Sequence, residues 1–286
     1  MALTSMPLGT PAAPPPMSVP DRVSFRRSWL AAYQHMLLLY RRTWRGSIFG
    51  TFLTPVMFLV AMGVGLGSFV DQSGSDALGG VPYLSFLAPG LLVATVMQTG
   101  AFEATFPILG GFRWTGRYHA MHATPLTPDA IALGQIGWTA TRITLVGSIF
   151  FFVTVLFGAV HSPWGVLAIP VATLTGLSFS GPIGAFMSTQ RNANTFSSIW
   201  RFGITPLFLF AGTFFPIDQL PKVVQPIAWI LPLWHGVDLA RALTLGTVAD
   251  DPLKNLFHVL FLVTFTVVGL VVLVTMFRRQ LRRLAR

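Results

Sequence analysis

Long apolar stretches separated by short polar segments make up most of this sequence. A helix needs about 20 apolar residues to cross the roughly 30 Å hydrocarbon core of a bilayer. Windows that meet this requirement fall near residues 48–70, 83–109, 130–160, 164–187, 197–216 and 256–277. The pattern therefore predicts an all-α polytopic membrane protein, with six transmembrane helices in a domain of residues 48–277.

The chain ahead of the first span follows a helical period instead of a continuous apolar run. Residues 24–45 carry an aromatic and aliphatic stripe between basic ends, and Ser24 can serve as an N-cap. We predict an amphipathic interfacial helix over residues 21–47, with its apolar side in the acyl boundary. Its headgroup-facing arginines are Arg26, Arg27, Arg41 and Arg42. The alternative is that this segment is the extended start of the first span.

The segment between the fifth and sixth spans is neither a loop nor a span. The fifth span is expected to stop at Pro216, because proline lacks a backbone donor and blocks helix continuation. Residues 222–230 and 233–245 are too apolar for a free loop and too short to cross a bilayer. We predict external re-entrant helices whose backbone is covered by protein or lines a wet cavity. Their characteristic residues are Pro221, Pro226, Pro232, Trp234 and His235.

Composition supports a membrane location. Hydrophobic residues make up 53% of the chain and charged residues 10%, and the mean hydropathy is +0.66, which is typical of a polytopic membrane protein. A net charge of +10 is also found in nucleic-acid-binding proteins, but here the basic residues flank the spans. We therefore expect the lipid bilayer as a partner and no nucleic acid. Cysteine is absent, which excludes disulfides and thiolate metal sites.

The distribution of basic residues predicts the orientation. Fifteen Lys and Arg residues precede the first span, follow the last, or lie in the loops after spans two and four, whereas Lys222, Arg241 and Lys254 lie on the other side. By the positive-inside rule, both termini of this multi-pass protein are cytoplasmic, in the cytoplasmic (inner) membrane. The proline-rich residues 1–20 are expected to form a disordered cytoplasmic tail, and residues 278–286 form a basic cytoplasmic tail.

Two charged residues fall inside predicted spans. Glu103 lies about two turns from the inner end of span two, and Arg142 lies about three turns into span three from the same side. A lone charge at that depth is costly, so we predict that Glu103 and Arg142 form an intramembrane charge pair. We favour a structural pair that sets helix register, and a proton or substrate site is the alternative.

The predicted inner loop between spans two and three has a defined local structure. Thr127 followed by Pro128 is a helix start, with a capping side chain and proline at the first helical position. Residues 114–122 can form a short amphipathic helix that exposes a docking surface to the cytosol. The side chains of this surface are Trp114, Arg117, Tyr118, Met121 and His122. His119 and His122 have no third ligand nearby, so no metal site is expected.

Small residues recur every four positions in the fourth predicted span, at Gly176, Ser180, Gly184 and Ser188. Such a seam lets the backbone of another helix approach closely. The sequence leaves two interpretations open, packing within the chain and contact with a second copy.

No catalytic motif is found in the sequence. A Walker A loop, an H-E-x-x-H helix and a G-x-S-x-G elbow are all absent. We therefore expect that this chain is not an enzyme and binds no cofactor. ATP-driven transport would then need a separate partner subunit that hydrolyses ATP. The alternative is an ion-coupled secondary transporter or channel. That class needs several intramembrane titratable groups, and the spans offer Glu103 and Arg142.

The order of these parts resembles the membrane subunit of type 2 ATP-binding-cassette exporters. The resemblance is carried by ATPLTP (123–128), GQIGWTATR (134–142), LTGLSFSG (174–181) and ITPLFLFAGTFFP (204–216). Within that class, residues 24–280 are most similar to permeases that export nodulation factors, which are lipo-oligosaccharides, and to related drug-export permeases.

The resemblance implies export of an amphipathic or hydrophobic substrate, such as a lipo-oligosaccharide, a glycolipid or a drug. Residues 114–122 would be a coupling helix that docks into an ATPase subunit, and residues 24–45 would also touch that subunit. Two permease copies, identical or different, and two ATPase copies would form the working unit, with ATP and Mg²⁺ bound by the ATPase. The re-entrant helices would cap the exit path. Aromatic residues of spans two and five would face the translocation path or gate, or alternatively lipid: Phe102, Phe106, Phe208, Phe210, Phe214 and Phe215.

Overall fold

The computed structural model describes residues 25–72, 80–223 and 225–283, and the regular secondary structure in these ranges is helical throughout. The α-helices are α1 (Phe25–Phe58), α2 (Gly67–Gln72), α3 (Tyr83–Arg113), α4 (Arg117–His122), α5 (Pro128–Leu156), α6 (Ala168–Thr189), α7 (Asn194–Ile199), α8 (Thr205–Phe210), α9 (Gln225–Ile230), α10 (Pro232–Leu245) and α11 (Pro252–Arg283). The prediction of an all-α fold is confirmed. The proposed tail of residues 1–20, the Ser24 cap and residues 284–286 lie outside the described residues.

Within the described ranges, five helical segments are long and apolar enough to cross a membrane. They are Thr51–Val70, Tyr83–Arg113, Pro128–Leu156, Pro163–Thr189 and Pro252–Arg283. The predicted fifth span falls on a shorter segment that runs from α7 through a wide π-helical turn, Trp200–Ile204, into α8. The total of six spans therefore stays a prediction.

The first helix has no boundary where the sequence pattern places one. α1 continues through wide π-helical turns at Leu59–Leu66 into α2, so the backbone is helical from residue 25 to residue 72. The predicted end of a separate interfacial helix at residue 47 is not visible, because arginine favours helix about as well as leucine does. The alternative, in which this segment is the extended start of the first span, describes the observed backbone. The location of its first half at the membrane interface stays a prediction.

The helix before the re-entrant region ends earlier than predicted. Phe210 is the last residue of α8, whereas the sequence suggested a stop at Pro216. Gly212 has a φ of +78°, a left-handed conformation that only glycine adopts readily. This residue, rather than the proline, turns the chain out of the helix.

Close backbone contacts between small residues build the centre of the bundle around α3 and α6. A Cβ atom on Gly100 of α3 would lie 2.7 Å from the Gly176 carbonyl oxygen, and one on Gly181 would lie 2.6 Å from the Gly269 carbonyl carbon of α11. The small-residue seam of α6 is therefore used within the chain. Of the two interpretations left open, intramolecular packing accounts for it.

The two ends of α3 define the two ends of the bundle. A helix of this length spans about 45 Å, and α4 follows directly after its last turn. α10 instead packs beside its first turns, where the Arg241 side chain reaches the Phe86 carbonyl. We call these the α4 end and the α10 end.

Candidate functional site

The predicted docking helix is present as α4, but two of its side chains face the interior. Tyr118 is fully buried and Met121 is 7% exposed, so the prediction that both are exposed to the cytosol is wrong. The Tyr118 ring packs against Phe112 and Phe277, with centroid distances of 4.7 and 5.1 Å. α4 rests on the ends of α3, α5 and α11, so its apolar side completes the core of this chain.

Hydrogen bonds of the Tyr118 hydroxyl complete this anchor. The hydroxyl donates to Gln135 Oε1 of α5 at 2.9 Å and accepts from Arg117 Nη2 at 3.0 Å. The same Nη2 donates to the Pro107 carbonyl of α3 at 3.3 Å. Burial raises the pKa of Tyr118, so the hydroxyl stays a donor at neutral pH. α4 is thereby joined to α3, α5 and α11 without an acidic partner.

The solvent-facing side of the α4 region borders a groove. Trp114, immediately after α3, is 52% exposed, Ala120 is exposed, and Arg117 and His122 are partly exposed. Between α4 and α1 lies a mostly apolar cavity of about 570 Å³. Its lining residues are Ala31, Ala32, His35, Leu39, Thr115, Arg117, Ala120, Met121, Thr124 and Leu126. The two elements that the resemblance assigns to ATPase docking therefore border one groove.

α1 is held against α5 by a close backbone approach. A Cβ atom on Gly134 would lie 2.6 Å from the Ala32 Cβ, and the Tyr33 hydroxyl lies 3.1 Å from Thr141 Oγ1. The arginines predicted to face headgroups are all exposed: Arg26, Arg27, Arg41 and Arg42. One face of α1 thus packs on the bundle while its basic residues point outward.

The structure brings Glu103 and Arg142 together. Arg142 Nε lies 3.7 Å from Glu103 Oε1, and both side chains are 13% exposed. Trp138 Nε1 donates to Glu103 Oε2 at 3.2 Å, and Arg142 donates to the Tyr40 hydroxyl and lies over its ring. The pair links α1, α3 and α5, which fits the structural interpretation. The alternative, a proton or substrate site, stays a prediction.

The six phenylalanines assigned to the path fall into two groups. Three are nearly half exposed: Phe102, Phe106 and Phe210. Phe208 and Phe214 instead pack edge to face, with centroids 5.0 Å apart, against the central core. Phe215 is partly buried against the cluster of Ile217, Leu220 and Ala228. In this conformation the first group is the more exposed one. The turn at Gly212 brings Phe214 back against Phe208 of α8.

Phe102 and Phe106 belong to a larger surface between α3 and α7. Both rings pack edge to face with Phe196, with centroids 6.2 and 6.3 Å away. A cavity of about 440 Å³ adjoins them, lined by Phe196, Ser197, Trp200, Arg201 and Thr205. We call this the α3–α7 aromatic surface, and it combines aromatic area with one guanidinium group.

The predicted re-entrant helices correspond to α9 and α10. Pro226 is the second residue of α9 and Pro232 is the first of α10, where the missing N–H of proline costs nothing. Pro221 is exposed in the turn before α9. Trp234 is partly buried and His235 is 1% exposed, so these two side chains hold α10 in place rather than facing solvent.

Polar side chains fix α10 on two sides. On the α3 side, Arg241 donates to the Phe86 carbonyl at 3.2 Å and to the Gly212 carbonyl at 3.0 Å. Burial lowers the pKa of Arg241 to about 10, so it is a cation at neutral pH. On the α11 side, His235 Nδ1 lies 2.7 Å from His258 Nδ1.

Sequence reasoning gave no specific role to several residues that hold these two ends together. They are Gln135, Asp238, Arg241, Lys254 and His258. One signal was available, since Lys254 and His258 are four residues apart on one helix, and His235 and Asp238 are three apart on another, spacings that share a helix face. The contact between the two helices was not visible in the sequence.

Comparison with known proteins agrees with this architecture. The family described as ABC-2 type transporter matches residues 27–245. Nodulation protein J of Rhizobium leguminosarum bv. viciae is 32% identical over 257 residues, which cover 90% of this chain and 96% of that protein. Nodulation protein J of Rhizobium meliloti (strain 1021) is 29% identical over 257 residues, which cover 89% and 94%.

A eukaryotic relative is also found. ABC transporter G family member 8 of Dictyostelium discoideum is 25% identical over 223 residues, which cover 73% of this chain and 33% of that protein. The family match spans most of the chain, and the bacterial relatives match over almost their whole length. The chain therefore belongs to the ABC-2 type transporter family and is the integral-membrane permease subunit of an ATP-binding-cassette exporter.

Proposed function

We propose that this permease exports an amphipathic substrate, a lipo-oligosaccharide, glycolipid or hydrophobic drug, as one of two permease copies driven by two ATP-binding-cassette ATPase subunits. ATP and Mg²⁺ bind to the ATPase and not to this chain. The protein lies in the cytoplasmic membrane with both termini in the cytoplasm. In this orientation the α4 end faces the ATPase and the α10 end faces outward.

The observation that carries the proposal is the groove between α1 and α4. It is mostly apolar, it is about 570 Å³ in volume, and Arg117 is one of its lining residues. A docking partner suited to it has apolar side chains to enter the groove and acidic residues around them, opposite Arg117. An ATPase seated there contacts α1 and α4 at once.

The anchor of α4 supports a mechanism for coupling. Nucleotide favours export only if it binds one conformation of the complex more tightly than another. Closure of the two ATPases then moves α4 as a rigid body. Because Tyr118 packs on Phe112 and Phe277 and donates to Gln135, this movement acts on α3, α11 and α5 together.

The α3–α7 aromatic surface supports the substrate class. Phe102 and Phe106 are each 46% exposed, and Arg201 borders the cavity beside them. In our proposal a second permease copy faces this surface, and the aromatic side chains between the copies receive the apolar part of the substrate. Arg201 favours an anionic or polar head. The relatives' printed name, nodulation protein, is consistent with the lipo-oligosaccharide member of this class.

The experiment is ATP-driven export by the full chain, reconstituted in liposomes with the ABC ATPase encoded beside it. A fluorescent lipo-oligosaccharide is the probe. We expect vanadate-sensitive export by the complex. Ala120→Arg places a long cation in the groove and should lower export by about tenfold or more, with membrane insertion unchanged because Ala120 is exposed.

Ala249→Arg is the matched control, since Ala249 is an exposed alanine at the α10 end. It should export at the wild-type rate. Equal export by both variants would contradict docking at the groove. Transport by the chain alone, driven by an ion gradient, would contradict the ATP-driven mechanism and favour the secondary transporter.

A further inference from the structure

A continuous series of hydrogen-bonding contacts joins α9, α10 and α11. His235 Nε2 lies 2.9 Å from the Trp229 carbonyl oxygen, and His235 Nδ1 lies 2.7 Å from His258 Nδ1. His258 Nε2 lies 3.1 Å from Asp238 Oδ2, which also accepts from Lys254 Nζ at 2.7 Å. Both histidines are 1% exposed, so water cannot substitute for these contacts.

Counting protons shows that two neutral imidazoles cannot satisfy this series. The two Nε2 atoms face oxygen acceptors, a carbonyl and a carboxylate, so each must carry a hydrogen. The contact between the two Nδ1 atoms needs a third hydrogen, because two bare lone pairs at 2.7 Å repel each other. Two neutral histidines supply only two. The geometry therefore requires one additional proton.

We propose that His235 and His258 share one proton at neutral pH, and that this proton latches α10 onto α11. His258 donates through Nε2 to Asp238 and through Nδ1 to His235, while His235 donates through Nε2 to the Trp229 carbonyl. Asp238 accepts from both His258 and Lys254, so its single negative charge is shared between these two cations. The latch stands on these contacts alone and does not depend on the proposed transport function.

Other ionisable residues lie on the helices that pack against the two histidines. The charged residues of α10, α11 and the turn between them that border the neighbouring cavity are Asp238, Arg241, Asp250, Asp251 and Lys254. α6, which also packs on α10, has no ionisable residue in its sequence. On α3, the Tyr83 hydroxyl donates to the Phe214 carbonyl. Glu103 pairs with Arg142. Arg113 donates to the Gln190 carbonyl. Asp238 is thus the only one of these acids that contacts the pair.

The pKa directions of Asp238 and His235 agree with one shared proton. Desolvation alone would raise the pKa of Asp238, but hydrogen bonds from His258 and Lys254 lower it to about 2, so the proton resides on the imidazoles. Burial, together with the charge of His258, lowers the pKa of His235 from 6.5 to about 4. His235 Nδ1 therefore stays an acceptor until the pH approaches 4.

The sign of the pH effect follows from His235. Between pH 6.5 and about 4, the unfolded chain binds a proton on this residue that the folded chain does not, so folded-state stability falls as the pH is lowered through this window. The stability that comes from the lowered pKa of His235 is fully present above pH 6.5, where neither state protonates this residue. At the acid end, both Nδ1 atoms carry hydrogens, and the latch opens by repulsion.

The proton itself is detected by ¹⁵N solid-state NMR of the histidine-labelled full chain in lipid nanodiscs at neutral pH. We expect one imidazole with both nitrogens protonated, assigned to His258, and one neutral ring protonated at Nε2, assigned to His235. Assignment uses loss of the signal in His258→Gln and His235→Gln. Two neutral rings in the wild-type protein would overturn the proposal without any variant having to fold.

The latch is tested by thermal unfolding of the same nanodiscs as the pH is lowered from 6.5 to 4. His235→Phe keeps a ring against Phe261, which stacks on His235 at 3.9 Å, but cannot accept the proton. We expect its Tm to be lower by about 5 °C at neutral pH and its acid-induced decrease to be much smaller than in the wild type. His161→Phe, at an exposed histidine, should keep the wild-type profile. A lowered Tm with an unchanged pH profile would reduce His235 to a packing residue and overturn the latch.

Discussion

The two ends of this permease are held together by different chemistry. At the α4 end, the short helix is anchored by a buried neutral ring, Tyr118, among aromatic neighbours and one amide partner. At the α10 end, the longer helix is anchored by a guanidinium on backbone carbonyls and by two histidines between a carbonyl and a carboxylate. One anchor depends on packing and the other on charge.

This difference matches the roles that we propose for the two ends in an ATP-driven exporter. A helix that transmits movement must not loosen when conditions change, and aromatic packing is insensitive to pH and salt. A helix that covers the outer end of the bundle can be held by charged hydrogen bonds, whose strength depends on protonation. The comparison therefore predicts opposite sensitivities for the two ends.

The largest effect is expected from removing the ring at the α4 end. Tyr118→Ala deletes a fully buried aromatic side chain, a change that typically costs about 3–5 kcal/mol. We expect the Tm of the permease in nanodiscs to fall by roughly 10 °C. Tyr118→Phe keeps the ring and loses the hydrogen bond to Gln135, so it should cost about 1 kcal/mol. Equal losses in the two variants would mean that the hydroxyl, not the packing, forms the anchor.

Tyr118 also shows where sequence reasoning succeeds and where it fails. Local chemistry was readable: Thr127 caps α5, accepting from the Ala130 N–H at 3.2 Å, with Pro128 next to it, as predicted. The similar depths of Glu103 and Arg142 along their helices were enough to predict that the two side chains lie close together. The apolar side of α4 was correctly recognised as apolar, but its neighbour was assumed to be a partner protein. Phe277 lies far along the sequence, so only the fold could reveal that it covers Tyr118.

The α10 end was unpredictable for a related reason. His258 lies in a strongly apolar segment, and nothing local indicates that its ring meets His235 of α10. Arg241 was counted only as an outer positive charge, whereas it binds carbonyls of α3 and of the turn after α8. Periodicity assigns side chains to a face of a helix, but it does not identify the helix that this face meets.

An intermediate effect is expected from Arg241→Met at the α10 end. Methionine fills a similar volume but leaves the Gly212 carbonyl without the donor that it has now, which costs about 2 kcal/mol for a buried group. We expect a Tm decrease of roughly 5 °C and faster proteolysis in residues 211–216, while α4 keeps its protection in hydrogen exchange. Arg241→Lys retains the charge but not the two-donor geometry, so it should fall between Met and the wild type. A Tm at or above that of the wild type would show that burying the cation outweighs its hydrogen bonds.

The smallest effect is expected from the ion pair of the α4 end. Arg278 Nε and Nη2 donate to the two carboxylate oxygens of Asp129 at 2.9 and 2.7 Å, which ties α11 to α5. The Arg278 side chain is 47% exposed and the Asp129 side chain 33%. Solvent-exposed ion pairs contribute little to stability because water and salt screen them. We expect Asp129→Asn to change the Tm by about 1 °C or less at physiological salt, and the difference from the wild type to vanish in high salt.

The Asp129→Asn variant tests the comparison of the two ends directly. Asp129 and Arg278 form an ion pair at the α4 end, and Arg278 is next to Phe277 of the aromatic anchor in the sequence. If Asp129→Asn lowered the Tm as much as Tyr118→Ala, and if salt produced the same loss in the wild type, charge would hold both ends. The α4 end would then respond to ionic strength as the α10 end responds to pH. A small, salt-sensitive change beside a large, salt-independent one for Tyr118→Ala leaves packing as the force that holds α4 to the bundle.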